Sequence, residues 1–102
     1  MRVIPEFESP GHSRAASLDK KFKDVALCSK EVRPSVIPDY GVVKSPPSMV
    51  VLDPSKQKTY DLIEAVLQTY RDLFPDSTVH LGGDEVNWSC FLENPDIQKF
   101  MQ

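Results

Sequence analysis

The chain lacks several features that would assign it to a particular class of protein. Its 102 residues contain no apolar run near the ~20 residues that a membrane-spanning helix needs, and no charged segment leading into an apolar one, as a signal peptide has. Basic residues number 12 against 15 acidic ones and form no run, so nothing indicates a nucleic-acid partner. There is no internal repeat and no low-complexity tract. The composition, 40% hydrophobic and 26% charged, suits one small globular domain with a modest core.

The clearest local pattern predicts an amphipathic helix over residues 54–74. Asp53 is a favourable N-cap, Pro54 stands at the first helical position, and Pro75 ends the helix. Apolar side chains recur at three- and four-residue spacing and form one stripe, made of Ile63, Val66, Leu67, Tyr70, Leu73 and Phe74. A helix with one apolar face is expected to cover a sheet.

Two short strands flank this helix, over residues 2–7 and 78–82, although Pro5 is unusual inside a strand because it has no N–H. Residues 13–52 predict a long loop that carries short pieces of structure. A further helix begins after the cap Asn94 and covers residues 95–102. Strand, crossover helix and strand form a βαβ unit with two parallel strands, which is an α/β architecture.

Glycine is scarce, with four residues in the chain, yet two of the four are neighbours directly after the second strand. Gly82 and Gly83 let the backbone pass close to a ligand or to another segment, and Asp84 and Glu85 follow them. Adjacent carboxylates repel each other, which favours the protonated form of one of them and suits a proton donor. The alternative is a polar loop without chemistry.

A histidine, His12, follows the first strand after the turn Ser9-Pro10-Gly11. The carboxyl ends of adjacent parallel strands meet at one edge of a sheet, and ligands gather there. His12, Asp84 and Glu85 are therefore predicted to converge. Taken alone, a histidine after Pro-Gly is also compatible with a hydrogen-bonded loop residue.

Three segments together resemble glycoside hydrolase family 20, the β-N-acetylhexosaminidases, and within it the lysosomal β-hexosaminidases of animals. The segments are Arg2–His12, His80–Val86 and Asn94–Met101, in this order and with a helix between them. The resemblance is strong over residues 2–12 and 75–101, weaker over 53–74 and poor over 13–52.

The family resemblance implies a fragment of a (β/α)8 TIM barrel, with about two parallel strands, a crossover helix and a long loop. Such barrels need about 250 residues, so residues 1–102 would form a partial catalytic domain. Met1 leads directly into the first strand, and Gln102 stands inside a predicted helix. We expect the isolated chain to be inactive.

The same resemblance implies hydrolysis of terminal non-reducing N-acetyl-D-hexosamine residues by a substrate-assisted retaining mechanism, an exception to the two-carboxylate rule. Glu85 would be the proton donor and acceptor, Asp84 would orient the substrate acetamido group, and His12 would support the acid. Glu8 stands four residues before His12, where many members have aspartate. Glu6 is expected to be a buried structural carboxylate.

Further consequences of the resemblance concern covalent structure and surroundings. Cys28 and Cys90, otherwise two incidental thiols, would form a disulfide in a lysosomal or secreted protein. The expected partners are N-acetylhexosamine-containing glycans or glycolipids, and the full-length protein is a possible dimer. No cofactor, metal or membrane span is expected. Trp88 is a weak candidate for a sugar-binding wall, with packing beneath the loop as the alternative, and the sequon at Asn87 is expected to be unoccupied because it lies near Glu85.

Other interpretations stay open. His80 is expected to be structural, and a metal site made of His80, Asp84 and Glu85 is conceivable by ligand type, although the spacing matches no metal motif. A catalytically inactive relative that binds sugars or a partner subunit is the main alternative function. A small α/β domain unrelated to sugars is a third.

Overall fold

The chain forms short helices and strands around one long helix. The structure, a computed structural model, describes residues 1–29, 33–37, 41–45 and 50–102, and for 33–37 and 41–45 it gives the backbone alone. The helices are α1 (Arg14–Leu18), α2 (Gln57–Leu73), α3 (Ser89–Leu92) and α4 (Pro95–Phe100), and a 3-10 turn occupies Lys23–Val25. The strands are β1 (Ala26–Leu27), β2 (Arg33–Ile37), β3 (Gly41–Ser45) and β4 (Val51–Leu52).

The two predicted barrel strands meet at a single point. Residues 2–7 and 78–82 are not regular strands, and one parallel bridge joins Glu6 to His80. The Phe7 N–H donates to the His80 carbonyl over 2.9 Å, and the His80 N–H donates to the Pro5 carbonyl over 2.9 Å. Pro5 has no N–H to extend this ladder, and Gly82, with a φ of 67°, turns the chain away beyond it. The parallel contact is therefore present, but the predicted strand lengths are wrong.

The regular strands of the described residues all lie within residues 13–52, the stretch predicted as a long loop that carries short pieces of structure; that these pieces are paired strands was not predicted. Strands β1 and β4 pair antiparallel, as do β2 and β3. In a two-stranded sheet every strand is an edge, which is where proline is tolerated, so Pro34 is accommodated within β2. The segments 30–32, 38–40 and 46–49 of the predicted loop lie outside the described residues.

The core is divided between the two faces of the β4 segment. Val50 and Leu52 are fully buried in one cluster with Val25, and Val51 is buried in a second cluster with Cys90, Phe91 and Ile97. Successive side chains of an extended segment point to opposite faces. Three consecutive apolar residues therefore tie the two halves of the core together.

Helix α2 begins later than predicted. It starts at Gln57 rather than at Pro54, with Lys56 at the N-cap position and no side-chain capping bond. The Asp53 carboxylate instead accepts the Ser55 N–H over 2.9 Å and the Ser55 hydroxyl over 2.6 Å, which closes a turn before the helix. A polar residue that closes a turn and one that caps a helix look alike in sequence.

The apolar stripe of α2 is covered over its N-terminal half. Leu62 and Ile63 pack against the first core cluster, whereas Leu73, a predicted stripe residue, is 70% exposed. The Tyr70 hydroxyl donates to the Glu6 carbonyl over 3.1 Å and holds the C-terminal half of the helix against the parallel bridge. No helix in the described part of the chain is both long and apolar enough to cross a membrane.

The C-terminal helices are joined to the rest of the chain covalently. Cys28 and Cys90 form the disulfide that the resemblance implies, with Cα atoms 5.9 Å apart and 62 positions of separation. Helix α4 begins after Asn94, whose side chain accepts the N–H groups of Asp96 and Ile97. Its buried Ile97 packs in the second core cluster.

Candidate functional site

The parallel bridge brings two loops to one edge of the molecule. Beyond the bridge, residues 8–12 and 82–85 leave side by side, and the Ser9 hydroxyl donates to the Leu81 carbonyl over 3.4 Å. Gly11 is buried, and a Cβ atom at this position would lie 3.2 Å from the Asp84 carbonyl oxygen. Because Gly11 has no side chain, the Pro-Gly-His turn can lie directly against the backbone that carries the two carboxylates.

His12 and Glu85 are in direct contact. The His12 Nε2 lies 3.1 Å from the Glu85 Oε2, with 36% and 68% of the respective side chains exposed. Both residues have a φ of 50°, in the left-handed region that non-glycine residues rarely occupy. Such conformations cluster at functional sites, where the surrounding structure over-determines them.

The backbone beside His12 is anchored on the core. The Ser13 N–H donates to the Val50 carbonyl over 2.9 Å, and its hydroxyl donates to the Gly11 carbonyl over 3.0 Å. The Leu52 N–H donates to the Pro10 carbonyl over 2.8 Å. The loop that presents His12 is thus fixed to the buried β4 segment on both sides of the histidine.

Asp84 and Glu8 bring two further carboxylates close to His12. Asp84, His12 and Glu8 each place one side-chain nitrogen or oxygen within 4.8 Å of those of the other two. Three carboxylates, those of Glu8, Asp84 and Glu85, therefore surround one imidazole. This arrangement can hold and move a proton between the histidine and Glu85, with a second carboxylate available to a ligand.

Glu8 has a role that the sequence does not reveal. Its Oε1 accepts the Gly83 N–H over 2.8 Å, across 75 positions of the chain. Two features of the sequence point to this contact only indirectly. Gly82 has no side chain to obstruct the carboxylate, and glutamate is longer than the aspartate that is common in the family this chain resembles.

His80 and Glu6 form a neighbouring pair outside this group. The His80 Nδ1 lies 3.0 Å from the Gly82 N, whose N–H it accepts when it carries no proton, and 3.2 Å from a Glu6 carboxylate oxygen, to which it donates when it is protonated. Glu6 is exposed, so its prediction as a buried carboxylate is wrong. Its side chain lies beside His80, which is itself 65% exposed, so the pair stands at the surface.

The metal site conceived on His80, Asp84 and Glu85 is not formed. Among the described residues, the histidine whose nitrogen meets two carboxylates at ligand spacing is His12, not His80. The His80 Nδ1 is also occupied, by the Gly82 N–H or by the Glu6 carboxylate.

Trp88 lies close to the site in sequence and is exposed. Its ring is 69% exposed and meets Phe91 edge to face, with centroids 5.8 Å apart, while Phe91 is buried. The ring is therefore available to a ligand and is not packed beneath the loop. Asn87, the sequon residue, is 3% exposed, and its Oδ1 accepts the Ser89 hydroxyl over 2.8 Å. The Asn87 side chain therefore closes a turn with Ser89 and is buried.

A cavity of about 390 Å³ opens beside the site, between α1 and α2. Glu8 and His12 lie at its polar side, and its apolar walls include Phe7, Ala16, Phe22, Leu62 and Val66. The site thus borders a partly apolar depression, the usual setting of a small-molecule site.

Known proteins resemble this chain over its whole length. The beta-hexosaminidase subunit beta of Felis catus is 37% identical over 102 residues, and that of Homo sapiens is 34% identical; this chain covers 17% and 16% of them. Beta-hexosaminidase A of Caenorhabditis elegans is 35% identical over 105 residues, with 17% of it covered. This chain therefore spans about a sixth of the length of these relatives.

A solved structure and a family model agree with these relatives. The X-ray structure of a chitobiase from Flavobacterium johnsoniae superimposes with a TM-score of 0.70 at 27% identity, over 98% of this chain and 14% of that one. The family model described as glycosyl hydrolase family 20, catalytic domain, matches residues 1–102. The chain belongs to glycosyl hydrolase family 20.

Proposed function

We propose that this chain carries the acid–base part of a β-N-acetylhexosaminidase active site, within a (β/α)8 barrel. The observation that carries the proposal is the contact between His12 Nε2 and Glu85 Oε2 beside Asp84, in a chain of family 20. The parallel contact at Glu6–His80 supports the barrel, because both site loops leave from the same end of it.

The proposed reaction is substrate-assisted. The carbonyl oxygen of the substrate 2-acetamido group attacks the anomeric carbon while the bond to the glycosidic oxygen breaks, and Glu85 gives its proton to that oxygen. The product of this step is a cyclic oxazolinium. Water then attacks the anomeric carbon while its bond to the acetamido oxygen breaks, which restores the 2-acetamido group; Glu85 takes the proton of the water, and the configuration at that carbon is retained.

Asp84 and His12 have distinct parts in this scheme. The Asp84 carboxylate accepts the acetamido N–H and stabilises the positive charge of the oxazolinium. His12 orients the Glu85 carboxyl group and is a positioning residue. Adjacent carboxylates cannot flank a sugar ring from opposite faces, and the geometry of Asp84 and Glu85 therefore suits an internal nucleophile.

Turnover of a chromogenic N-acetyl-β-glucosaminide at mildly acidic pH by the longest product of the gene tests the proposal, with Glu85→Gln as the decisive variant. We expect kcat to fall by about 10²–10⁴-fold, because proton transfer to the leaving oxygen is lost. Glu64→Gln, an exposed carboxylate on α2 with a hydrogen bond to Gln68, is the matched control and keeps the parent rate. Equal turnover by Glu85→Gln and the parent would refute the assignment.

A sugar- or subunit-binding protein without hydrolysis is the second candidate. It is favoured by the exposure of the site: the Glu85 side chain is 68% exposed, whereas sugar-cleaving pockets enclose most of their ligand. Chemical-shift changes around His12 and Asp84 on addition of N-acetylglucosamine, with no turnover of the chromogenic substrate, would establish it.

Substrate, compartment and assembly follow from the same proposal. The substrates are terminal N-acetylhexosamines of glycans or glycolipids, and no cofactor takes part. The Cys28–Cys90 disulfide supports an oxidising compartment, lysosomal or extracellular. The relatives are described as subunits, and this supports a dimer of the protein that contains this chain.

A further inference from the structure

We propose that Glu8 is a positioning residue that holds the Gly82–Gly83 turn, and with it Asp84 and Glu85, by accepting the Gly83 N–H. The contact itself is independent of any activity. Its catalytic consequence rests on the proposed function, since it concerns the carboxylates that would act on the substrate.

The backbone from which the Glu8 side chain extends is held in place. The Phe7 N–H is bonded to the His80 carbonyl, so the backbone directly before Glu8 is held on the segment that leads into the turn. From this origin the Glu8 Oε1 reaches the Gly83 N–H over 2.8 Å. A hydrogen bond to a carboxylate is shorter and about twice as strong as one between neutral groups.

Gly82 leaves room for the Glu8 carboxylate because it has no side chain. A Cβ atom at Gly82 would lie 2.6 Å from the Glu8 carboxyl carbon, so a side chain at this position would have to displace the Glu8 carboxylate. Its φ of 67° also belongs to the left-handed region. The Glu8 side chain therefore occupies the space that every other residue type at position 82 would need.

The turn needs an external restraint because both of its residues are glycines. Gly83 has a φ of 118°, and a Cβ atom there would meet nothing within 4 Å, so packing does not restrict it. Glycine pairs have a wide choice of backbone conformations. The Gly82 N–H is held by the His80 Nδ1 and the Gly83 N–H by Glu8, so that both consecutive amides of the turn are bound to side chains.

The length of the Glu8 side chain distinguishes this chain from family members that have aspartate at this position. An aspartate here would end about 1.5 Å earlier, by one carbon–carbon bond. Its carboxylate would keep the negative charge near His12 and lose the Gly83 N–H. Charge and reach can therefore be separated by substitution.

The test is amide hydrogen exchange and chemical shift of Gly83 in ¹⁵N-labelled protein. In Glu8→Ala and Glu8→Asp we expect exchange at Gly83 to become about tenfold faster and its proton to move upfield, since the hydrogen bond is lost. Glu8→Gln keeps an acceptor oxygen and should lie between them and the parent. Glu64→Gln removes the same charge on α2, outside the turn, and leaves the Gly83 amide unchanged. The Ile97 amide in α4 reports that each variant is folded.

An unchanged Gly83 amide in Glu8→Ala would overturn the proposal, whatever the activity. In the longest product of the gene, we expect Glu8→Ala and Glu8→Asp to lower kcat up to about 10²-fold, because small displacements of reacting groups have this effect, and Glu8→Gln to restore much of it. Parent-like kcat in Glu8→Ala with a released Gly83 amide would overturn the positioning role. Absence of turnover in the parent contradicts the proposed function alone, since the Gly83 contact is measured without substrate.

Discussion

At the scale of the residue, the site depends on backbone conformations that few residue types adopt. His12 and Glu85 are both left-handed, and Gly82 and Gly83 stand between the bridge and the carboxylates with positive φ values of 67° and 118°. The strain at His12 is offset by the hydrogen bond that the adjacent Ser13 N–H donates to the carbonyl of the buried Val50. The candidate site residues His12 and Glu85 are thus held in place by neighbours that have no proposed role in the reaction.

Gly82→Ala should destabilise the fold by about 1–2 kcal/mol, since alanine is disfavoured in the left-handed region, and displace Glu8 as well. Urea unfolding measures the change. The double variant with Glu8→Ala is the control: part of the effect of Gly82→Ala should disappear, because the obstructing carboxylate is gone. Parent-like stability of Gly82→Ala would contradict the close approach.

A second residue-scale prediction concerns acid stability. The Arg2 guanidinium donates to both oxygens of Asp76, over 2.6 and 3.0 Å, and with the Thr78 N–H it lowers the pKa of Asp76 from 3.8 to about 2. Because the folded-state pKa is below the unfolded one, this stabilisation is complete above about pH 4 and is lost as the pH falls through about 2. Asp76→Asn should flatten the fall in unfolding free energy between pH 4 and 2.

Arg2→Gln should have the same effect on the pH profile, since it removes the donor and leaves the carboxylate. Unfolding by urea at a series of pH values measures both variants. If the slope between pH 4 and 2 were as steep in both variants as in the parent, the acid sensitivity would belong to other carboxylates.

At the scale of the element, the two longer helices begin for different reasons, α4 at a side-chain cap and α2 without one. Asn94 caps α4 with two hydrogen bonds to its side chain and is followed by Pro95 at the first helical position. Helix α2 has no such cap at Lys56, and its first turn is fixed instead by the Thr59 hydroxyl, which donates to the Asp53 carbonyl. One helix thus starts at a local signal and the other at a contact several residues away.

Asn94→Ala should lower the free energy of unfolding by about 1 kcal/mol, because two N–H groups at the start of α4 lose their acceptor. Thermal or urea unfolding measures the change. Asn94→Asp keeps the acceptor and should be close to the parent. Equal losses in both variants would show that the cap is not the cause.

At the scale of the whole molecule, the disulfide closes the structure around the site. It joins Cys28, at the end of β1, to Cys90 in α3, five residues after Glu85. Strands β1 and β4 are paired, and the β4 segment also anchors the loop of His12. The histidine and the carboxylates therefore share one covalently closed scaffold.

Cys28→Ser/Cys90→Ser should be less stable than the oxidised parent by roughly 4 kcal/mol in the chain-entropy model for a loop of this length. The midpoint of urea unfolding measures it. Addition of a reductant should bring the parent toward the double variant and leave the variant unchanged. A parent whose midpoint does not respond to complete reduction would contradict this role.

Local signals sufficed for part of the fold and for the choice of candidate site residues, whose roles remain predictions. Asn94-Pro95 marks the start of α4, and the stripe of Ile63, Val66 and Leu67 marks α2, because caps and apolar periodicity act within a few residues. The motifs around His12 and Glu85 indicated the family, which is established by the family model and by relatives that match over the whole of this chain. Asp53 as a helix cap was wrong, and the stripe residue Leu73 is exposed, since both depend on contacts beyond the local pattern.

The sequence by itself determined the candidate site residues and the helix between them, and it indicated family 20. Only the tertiary structure decided that His12 Nε2 meets Glu85, that Glu8 holds the Gly83 amide, and that β4 divides the core. These contacts join positions 73 and 75 apart at the site. Their geometry depends on how the chain closes on itself, which residue type and spacing do not specify.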